Sequence, residues 1–321
     1  MAKKGTKIAL TYFITIIVSI LLIGGVAVFL FSRATHKGPS VADIEVTSST
    51  ENISEEYVPS MLDNQTTLFI LDAEDRISGS AFVLTRLLPS QAKLLIVPLQ
   101  SDTMITLNGE EKTLYDHYLT GGVSYARRAV ESLCDVSVDK YMKFDRFSFE
   151  NFVAHFTIVN YNVPYDLIYE NEKTGETTVL REGGQAMDPT SMRKLFTYPE
   201  FSNGETARNT VIGTIVTEFI NSSKDTRFES GIDPIVEAVL QSGVDTDITV
   251  YDYEFKKEAM QYTIENSNKL AELIMPTGDY DENGAYRPDA DFIKSLRSLF
   301  AVDIYSYESS DTTEAPEEIP E

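Results

Sequence analysis

Apolar residues are distributed unevenly along the chain, and the longest apolar run comes near its start. Residues 8–31 are 24 positions without a charge or a proline. As a helix rising about 1.5 Å per residue they would reach roughly 36 Å, enough to cross a hydrocarbon core of about 30 Å. A secretory signal peptide is the alternative. Its apolar core is only about 7–15 residues long and precedes a small-residue cleavage site, which Phe29-Leu30-Phe31 does not offer. The pattern predicts a transmembrane helix over residues 8–31.

Basic residues flank this run unequally. Lys3, Lys4 and Lys7 precede it, whereas only Arg33 and Lys37 follow. Because basic residues favour the cytoplasmic side, residues 1–7 are predicted to be cytoplasmic. We therefore expect a single-pass protein of the cell membrane, with the bulk of the chain extracytoplasmic.

The remainder of the chain divides by composition. Residues 32–65 are rich in Ser, Thr, Glu and Pro and show no apolar period, which indicates a stalk. Residues 66–302 carry the periodic apolar pattern of a folded domain. Residues 303–321 are acidic and contain two prolines, which is typical of a disordered tail.

Within residues 66–302, short apolar runs alternate with segments of helical spacing. Strands are predicted at 67–72, 79–85, 93–97, 139–145 and 271–274. Helices are predicted at 124–134 (with Ser124 as the cap), 148–156, 189–196, 206–220, 233–241, 253–264 and 289–300. Asn108-Gly109 is a turn signal, and a hairpin is expected around 171–175. The alternation predicts an α/β fold in which helices pack on a central sheet.

Charge and cysteine content restrict the functions open to the domain. The first 37 residues hold five of the 27 basic residues and no acid, so the rest has 22 basic against 50 acidic residues, a net charge of −28. Such a domain repels polyanions, so no nucleic-acid partner is expected. With Cys134 as the single cysteine, no intramolecular disulfide can form.

Several short motifs follow one another in an order that resembles one family. They are Lys112-Thr-Leu, Tyr118-x-x-Gly121-Gly122, Val138-Asp139-x-Tyr141, Phe144-Asp145-x-Phe147, Val163-Pro164, the glycine-rich turn 180–188 and Gly204-Glu205-x-x-Arg208. With the strand ending at Asp72, this order resembles the LytR-CpsA-Psr (LCP) family over about residues 66–300.

The resemblance implies a membrane-anchored extracytoplasmic domain with a mixed central sheet flanked by helices. LCP proteins transfer a glycopolymer from a polyprenyl-pyrophosphate carrier onto peptidoglycan. Arginines that fork onto phosphate oxygens and carboxylates that hold Mg²⁺ suit that chemistry. On this resemblance Asp72 would bind substrate and Mg²⁺, and Arg208 would bind substrate. An acid at the end of a strand caps a turn as often as it binds a metal, so a structural role is the alternative for Asp72. The lipid tail would lie between sheet and helices.

The chain departs from the family pattern where the charged residues are expected. The family's Arg-x-Asp is replaced by Ser78-Gly-Ser80, and its Pro-Arg-Asp is replaced by Pro98-Leu99-Gln100. Its pair of arginines is replaced by Thr197-Tyr198-Pro199, and its Arg-Gln pair is replaced by Val211-Ile212. Asp72 and Arg208 remain, with Glu205 in place of another acid. One arginine neutralises a pyrophosphate poorly, since each lost charged contact costs about 1.5–3 kcal/mol.

Three hypotheses follow from these departures. The first is a degenerate, weakly catalytic or non-catalytic member that binds an envelope polymer, its lipid carrier or a catalytic paralogue. The second is an active transferase with a rearranged site built from Asp102, Arg181, Arg193 and Arg208. The third is a structural or signalling ectodomain. The number of arginines that converge on one pocket beside Asp72 distinguishes them: three or more would favour the active transferase, and zero or one would favour a binding or structural role.

Other chemical candidates have simpler readings. Arg208 is predicted to form a surface ion pair with Glu205 at i,i+3. The 279–283 segment opens like a calcium loop, but Ala290 stands at its twelfth position, so a polar turn is predicted. The aromatic stripe Phe149, Phe152 and Phe156 is expected in the core. His117 and His155 lack partners at metal-ligand spacing.

Overall fold

The computed structural model describes residues 57–73, 80–171, 175–228 and 231–300. Across those ranges, no helix has both the length and the apolar character needed to cross a membrane. The predicted transmembrane helix over 8–31, most of the predicted stalk and the predicted tail at 303–321 lie outside the described residues. Within the predicted stalk, Met61–Asp63 forms a 3₁₀ turn just before the first strand.

Strands and helices alternate along the described chain. The strands are β1 Gln65–Leu71, β2 Ala81–Leu88, β3 Lys93–Leu99, β4 Met104–Leu107, β5 Glu110–Thr113, β6 Lys140–Phe144, β7 Val159–Val163, β8 Leu167–Glu170, β9 Thr177–Leu180, β10 Gly183–Met187, β11 Asp245–Thr246, β12 Ala271–Leu273, β13 Gly278–Tyr280 and β14 Tyr286–Pro288. The helices are α1 Leu114–Cys134, α2 Arg146–Ala154, α3 Pro189–Phe196, α4 Gly204–Lys224, α5 Asp233–Gln241, α6 Val250–Asn266 and α7 Ala290–Phe300.

A six-stranded sheet forms the centre, in the order β11-β6-β1-β2-β3-β12. β1 runs antiparallel to β2 and parallel to β6, β2 runs antiparallel to β3, and β3 runs parallel to β12. The predicted mixed sheet is therefore confirmed. This arrangement brings the end of β1, the start of β2 and the end of β3 to one edge of the sheet.

Helices cover both faces of this sheet. Leu68 and Ile70 of β1 pack in one core with α1 and α7. Leu71 of β1 and Phe144 of β6 pack in a second core with α2, α3, α4 and α5. Since both faces are buried, the central strands read as continuous apolar runs rather than as alternating ones.

The helix predicted at 124–134 begins ten residues earlier, at Leu114, so Ser124 is not its cap. The side chain of Thr113 accepts a hydrogen bond from the backbone N–H of Asp116 and caps it instead. Gly121 and Gly122 leave helical geometry, with φ of −142° and +62°. This kink interrupts the apolar period and divides one element into two apparent ones. The predictions for α3 and α5 are confirmed to the residue.

Candidate functional site

Asp72 lies at the edge of the sheet where β1 ends. Its backbone N–H donates to the carbonyl of Phe144 at 2.8 Å, which extends the parallel pairing with β6 by one residue. The hydroxyl of Ser80, just before β2, donates to Asp72 Oδ1 at 3.3 Å. Burial and a hydrogen bond from its hydroxyl to Asp72 raise the pKa of Tyr118. Asp72 is therefore a half-buried carboxylate held by two hydroxyl donors.

Arg208 reaches the same edge from the first turn of α4. Its side chain is 2% exposed and its Nη2 lies 2.7 Å from Glu205 Oε2, so the predicted pair exists. The guanidinium also donates to Phe196 O at 3.1 Å, Ser80 O at 3.3 Å and Ser101 Oγ at 3.2 Å. The prediction of a surface pair is wrong, because the first turn of α4 packs against the ends of β2 and β3.

Two further arginines line a small pocket together with Asp72. They are Arg146, the first residue of α2, and Arg193 of α3. Arg193 Nη2 lies 2.7 Å from Glu176 Oε1, and Arg146 Nη1 lies 3.0 Å from Glu176 Oε2. Arg193 Nε also lies 2.7 Å from Glu150. Three guanidinium groups thus lie at the end of β1, which is the number expected of an active transferase, but each is already paired with a carboxylate.

Glu176 is ionised by its surroundings. Although burial acts to raise its pKa, the hydrogen bond and charge of Arg193, with the charges of Arg146 and Lys194, hold the pKa of Glu176 below its usual value. The pocket is therefore nearly neutral. In its lining, the two arginines Arg146 and Arg193 stand against the two carboxylates Asp72 and Glu176.

An apolar cavity of about 330 Å³ lies beneath the sheet, beside this polar edge. Its wall includes Phe69 of β1, Phe152 of α2, Val216 and Phe219 of α4 and Ile235 of α5. The volume falls at the lower end of the roughly 300–1,000 Å³ that ligand pockets occupy.

The cavity follows the length of β1. Leu71 and Ala81 line the end next to Asp72, whereas Gln65 and Lys256 line the opposite end. The seven residues of β1 extend about 20 Å at roughly 3.3 Å per residue. The arrangement suits a long apolar chain with a polar group at one end.

Sequence comparison identifies the family of the chain. Residues 62–298 match the model of the LytR_cpsA_psr family. The chain belongs to this family. The resemblance read from the order of the motifs is confirmed.

Named relatives and solved structures of LCP type agree with this assignment. The chain is 24% identical to "Polyisoprenyl-teichoic acid--peptidoglycan teichoic acid transferase TagU" of Bacillus licheniformis over 78% of this chain and 81% of TagU. A protein of Eubacterium siraeum described as a transcription regulator superposes with a TM-score of 0.66 at 18% identity, covering 82% of this chain and 99% of that one. TagT bound to LI-WTA gives a TM-score of 0.56 at 19% identity, covering 78% and 94%. At these identities the structures establish the shared fold.

The rearranged LCP site predicted from Asp102, Arg181, Arg193 and Arg208 forms only in part. Arg193 shares the pocket of Asp72, and Arg208 lies at the adjoining edge. Arg181 pairs at 2.6 Å with Asp166 and its side chain is 66% exposed, so it belongs to a surface ion pair.

Asp102 follows the end of β3. Burial raises the pKa of Asp102, and the charge of Glu205 adds to the increase, while a hydrogen bond from the Tyr280 hydroxyl at 2.9 Å opposes it. The Asp102 carboxylate lies near Glu205 and does not line the pocket that contains Arg193.

Sequence reasoning missed Arg146, Glu150 and Glu176 as members of the site. Arg146 occupies the unspecified position of Phe144-Asp145-x-Phe147, and its place directly after the cap of α2 was the available signal. The two glutamates come from α2 and from the residue before β9. No sequence pattern brings them together, because the pairing depends on how α3 packs.

The remaining candidates have structural roles. The 279–283 segment forms the turn between β13 and β14, where Asp281 accepts from two backbone N–H groups and from Arg287. Phe149, Phe152 and Phe156 pack in the core as predicted. The ring of His117 is buried and lies 3.0 Å from Ile105 O. Within the described ranges, no group of three or more His, Cys, Asp or Glu side chains could hold a metal ion.

Proposed function

We propose that this LCP protein binds a polyprenyl-pyrophosphate-linked glycopolymer during assembly of the cell envelope. The observation that carries the proposal is the apolar cavity that ends beside Asp72. An isoprenoid tail would occupy the cavity, and its phosphates would reach the sheet edge. The names of TagU, a polyisoprenyl-teichoic acid transferase, and of TagT bound to LI-WTA support this ligand class.

The membrane location and domain layout that we propose are based on the composition of the chain. Residues 8–31 anchor it in the cell membrane as a single span with residues 1–7 in the cytoplasm. Residues 32–56 act as a stalk, because Tyr57 to Gln65 already pack on the domain. The extracytoplasmic domain follows up to residue 302, and residues 303–321 are a tail. The glycopolymer and peptidoglycan would then both be accessible to the domain.

Transfer to peptidoglycan by this protein is proposed to be weak or absent. The three guanidinium groups at the sheet edge each hold a carboxylate at 2.7–3.0 Å. A phosphate must displace Glu176 or Glu205 before it can use them, so it gains only the difference between two ion pairs. Leaving a displaced carboxylate buried without its cation is costly, at about 3–5 kcal/mol for a buried pair.

The residues at this sheet edge could provide only part of the ligands of a Mg²⁺ ion. Mg²⁺ usually takes one or two carboxylates together with phosphate oxygens of the ligand. Asp72, which lines the pocket of Arg146 and Arg193, supplies such a carboxylate. In the proposal, Asp72 would hold Mg²⁺ when the phosphates are bound, and the ion would neutralise their charge.

One observation favours a second candidate, an active glycopolymer–peptidoglycan transferase. Arg146 and Arg193 lie in the same pocket as Asp72, as a pyrophosphate clamp requires. If a phosphate displaced Glu176, both arginines would become available to it. A transfer rate like that of TagU, measured side by side with purified lipid-linked polymer, would favour this candidate over the non-catalytic one.

Binding of a polyprenyl pyrophosphate to the detergent-solubilised full chain, with and without Mg²⁺, tests the proposal. Val216→Trp places an indole in the cavity from a half-buried position. Displacing even two carbons of the tail costs about 1.6 kcal/mol, so binding should weaken at least tenfold. Val179→Trp, at a side chain that is 46% exposed, is the matched control and should bind like the wild type. Equal binding by all three proteins, each with an unchanged melting temperature, would refute the proposal.

A further inference from the structure

Five apolar side chains form an exposed patch, which we call the apolar collar. Val58 and Leu62 precede β1, and Val250, Tyr251 and Phe255 belong to the start of α6. Their exposed fractions are 78% for Val58, 82% for Leu62, 62% for Val250, 79% for Tyr251 and 63% for Phe255. Single exposed apolar residues are ordinary, but several on adjoining elements indicate an interaction surface.

Direct contacts join the two parts of the collar. Lys256 Nζ donates to the carbonyl of Leu62, and the ammonium lies 5.4 Å from the ring centre of Phe255. The rings of Tyr57 and Tyr262 meet at 5.6 Å between their centres. The segment before β1 is therefore held against α6, which brings Leu62 close to Phe255.

The collar adjoins, through Lys256, the end of the apolar cavity that is farthest from Asp72. Gln65, Asp252, Tyr253 and Lys256 line that end. Each of them lies within three residues of a member of the collar. An apolar surface outside the protein thus adjoins an apolar space inside it.

We infer that the apolar collar rests on the outer surface of a lipid bilayer, so that an isoprenoid tail passes from the bilayer into the cavity. The inference rests on the membrane anchorage and the ligand proposed above. Tyr and Phe side chains are favoured at the boundary between lipid head groups and acyl chains. With its phosphates at Asp72, a tail longer than the cavity would extend through it and leave it at the collar, where its remaining units would continue into the bilayer.

The point where the intervening chain joins the domain supports the bilayer as the occupant. Residues 32–56 separate the apolar run from Tyr57, a distance of 25 residues. A chain of 25 residues spans at most about 85 Å. It joins the domain at Tyr57, next to the collar, so the proposed anchor is attached on the face that carries the collar.

The net negative charge of the chain determines which lipid vesicles should be used to test the inference. Beyond residue 37 the chain has 50 acidic residues against 22 basic ones (27 less the five before that point), so it is repelled by anionic lipids. This repulsion acts over about 8 Å at physiological salt. Apolar contact must therefore hold the collar, and vesicles of zwitterionic phosphatidylcholine isolate that contribution.

Fluorescence quenching in such vesicles tests the inference on the full chain. An environment-sensitive label is placed at Phe255→Cys or Tyr251→Cys, and at Ile168→Cys as a control whose side chain is 51% exposed on β8. Cys134 is buried, and burial raises its pKa to about 12, so it stays unlabelled. Lipids with a nitroxide near the head group should quench the two collar labels at least twofold and the control by less than a tenth.

Three results would overturn the inference. Equal quenching at all positions in chains that float with the vesicles would contradict the docking surface and leave the anchorage intact. Chains that do not float would contradict the anchorage as well. Self-quenching of the collar labels that rises with protein density, without nitroxide quenching, would identify a second copy of the chain as the occupant.

Discussion

Arg208→Ala should destabilise the domain far more than the loss of a surface ion pair. The side chain is 2% exposed, lies 2.7 Å from Glu205 and donates to two backbone carbonyls and to Ser101. Removing one partner of a buried pair costs about 3–5 kcal/mol. For a domain of this size, each kcal/mol lowers the melting temperature by about 2–4 °C, so we expect a decrease of roughly 10 °C.

Arg181→Ala is the matched control for this experiment. Its side chain is 66% exposed and pairs with Asp166 at 2.6 Å, so its loss should cost at most about 1 kcal/mol. Thermal and urea unfolding followed by circular dichroism measure both variants. In the double variant Arg208→Ala with Glu205→Ala, part of the loss should be recovered, because no carboxylate remains without its cation. A loss for Arg208→Ala no larger than that for Arg181→Ala would refute the buried network.

Three other substitutions test separate features of the structure. Asp102→Asn should stabilise the protein at pH 7, because burial raises the pKa of this carboxyl and its ionised form is disfavoured in the folded state. The gain in unfolding free energy should shrink as the pH falls through that raised pKa and should be absent only below 3.8, the ordinary value. A gain independent of pH would contradict this reading. Gly213→Ala should destabilise the protein by about 1–3 kcal/mol in urea unfolding, because the added Cβ would come within 2.7 Å of Pro98 Cγ. This clash outweighs the roughly 1 kcal/mol by which alanine is favoured over glycine in a helix. A more stable variant would contradict the close approach. The side chain of Asp145 caps α2 by accepting a 2.8 Å hydrogen bond from the backbone N–H of Ser148. Asp145→Ala should therefore lower the free energy of unfolding by about 1 kcal/mol, whereas Asp145→Asn should largely preserve it.

The sheet and most helices were predictable because their signals are local. β1, β2 and β3 are buried on both faces, so each reads as an apolar run between turn signals. α3 begins at Pro189 after a capping Asp188, which a sequence pattern captures directly. The start of α1 was missed because the glycine pair breaks its apolar period.

Only part of the candidate site, chiefly Asp72 and Arg208, was predictable from the sequence. Asp72 was found because a strand ends there, and Arg208 because a motif contains it. The i,i+3 pairing of Arg208 with Glu205 looks the same on a surface as in a core, so only packing reveals its burial. The pairing of Arg193 with Glu150 and Glu176 joins residues 43 and 17 positions apart, which no periodicity indicates.

Photo-crosslinking with a polyprenyl pyrophosphate that carries a diazirine on an isoprene unit close to its pyrophosphate tests the central claim most directly. After irradiation of the full chain, peptide mapping should place the adducts on α2 and α4, at residues such as Phe152 and Phe219 that line the cavity. Val216→Trp should abolish these adducts and Val179→Trp should not. Adducts confined to exposed residues, or unchanged in Val216→Trp, would contradict the account.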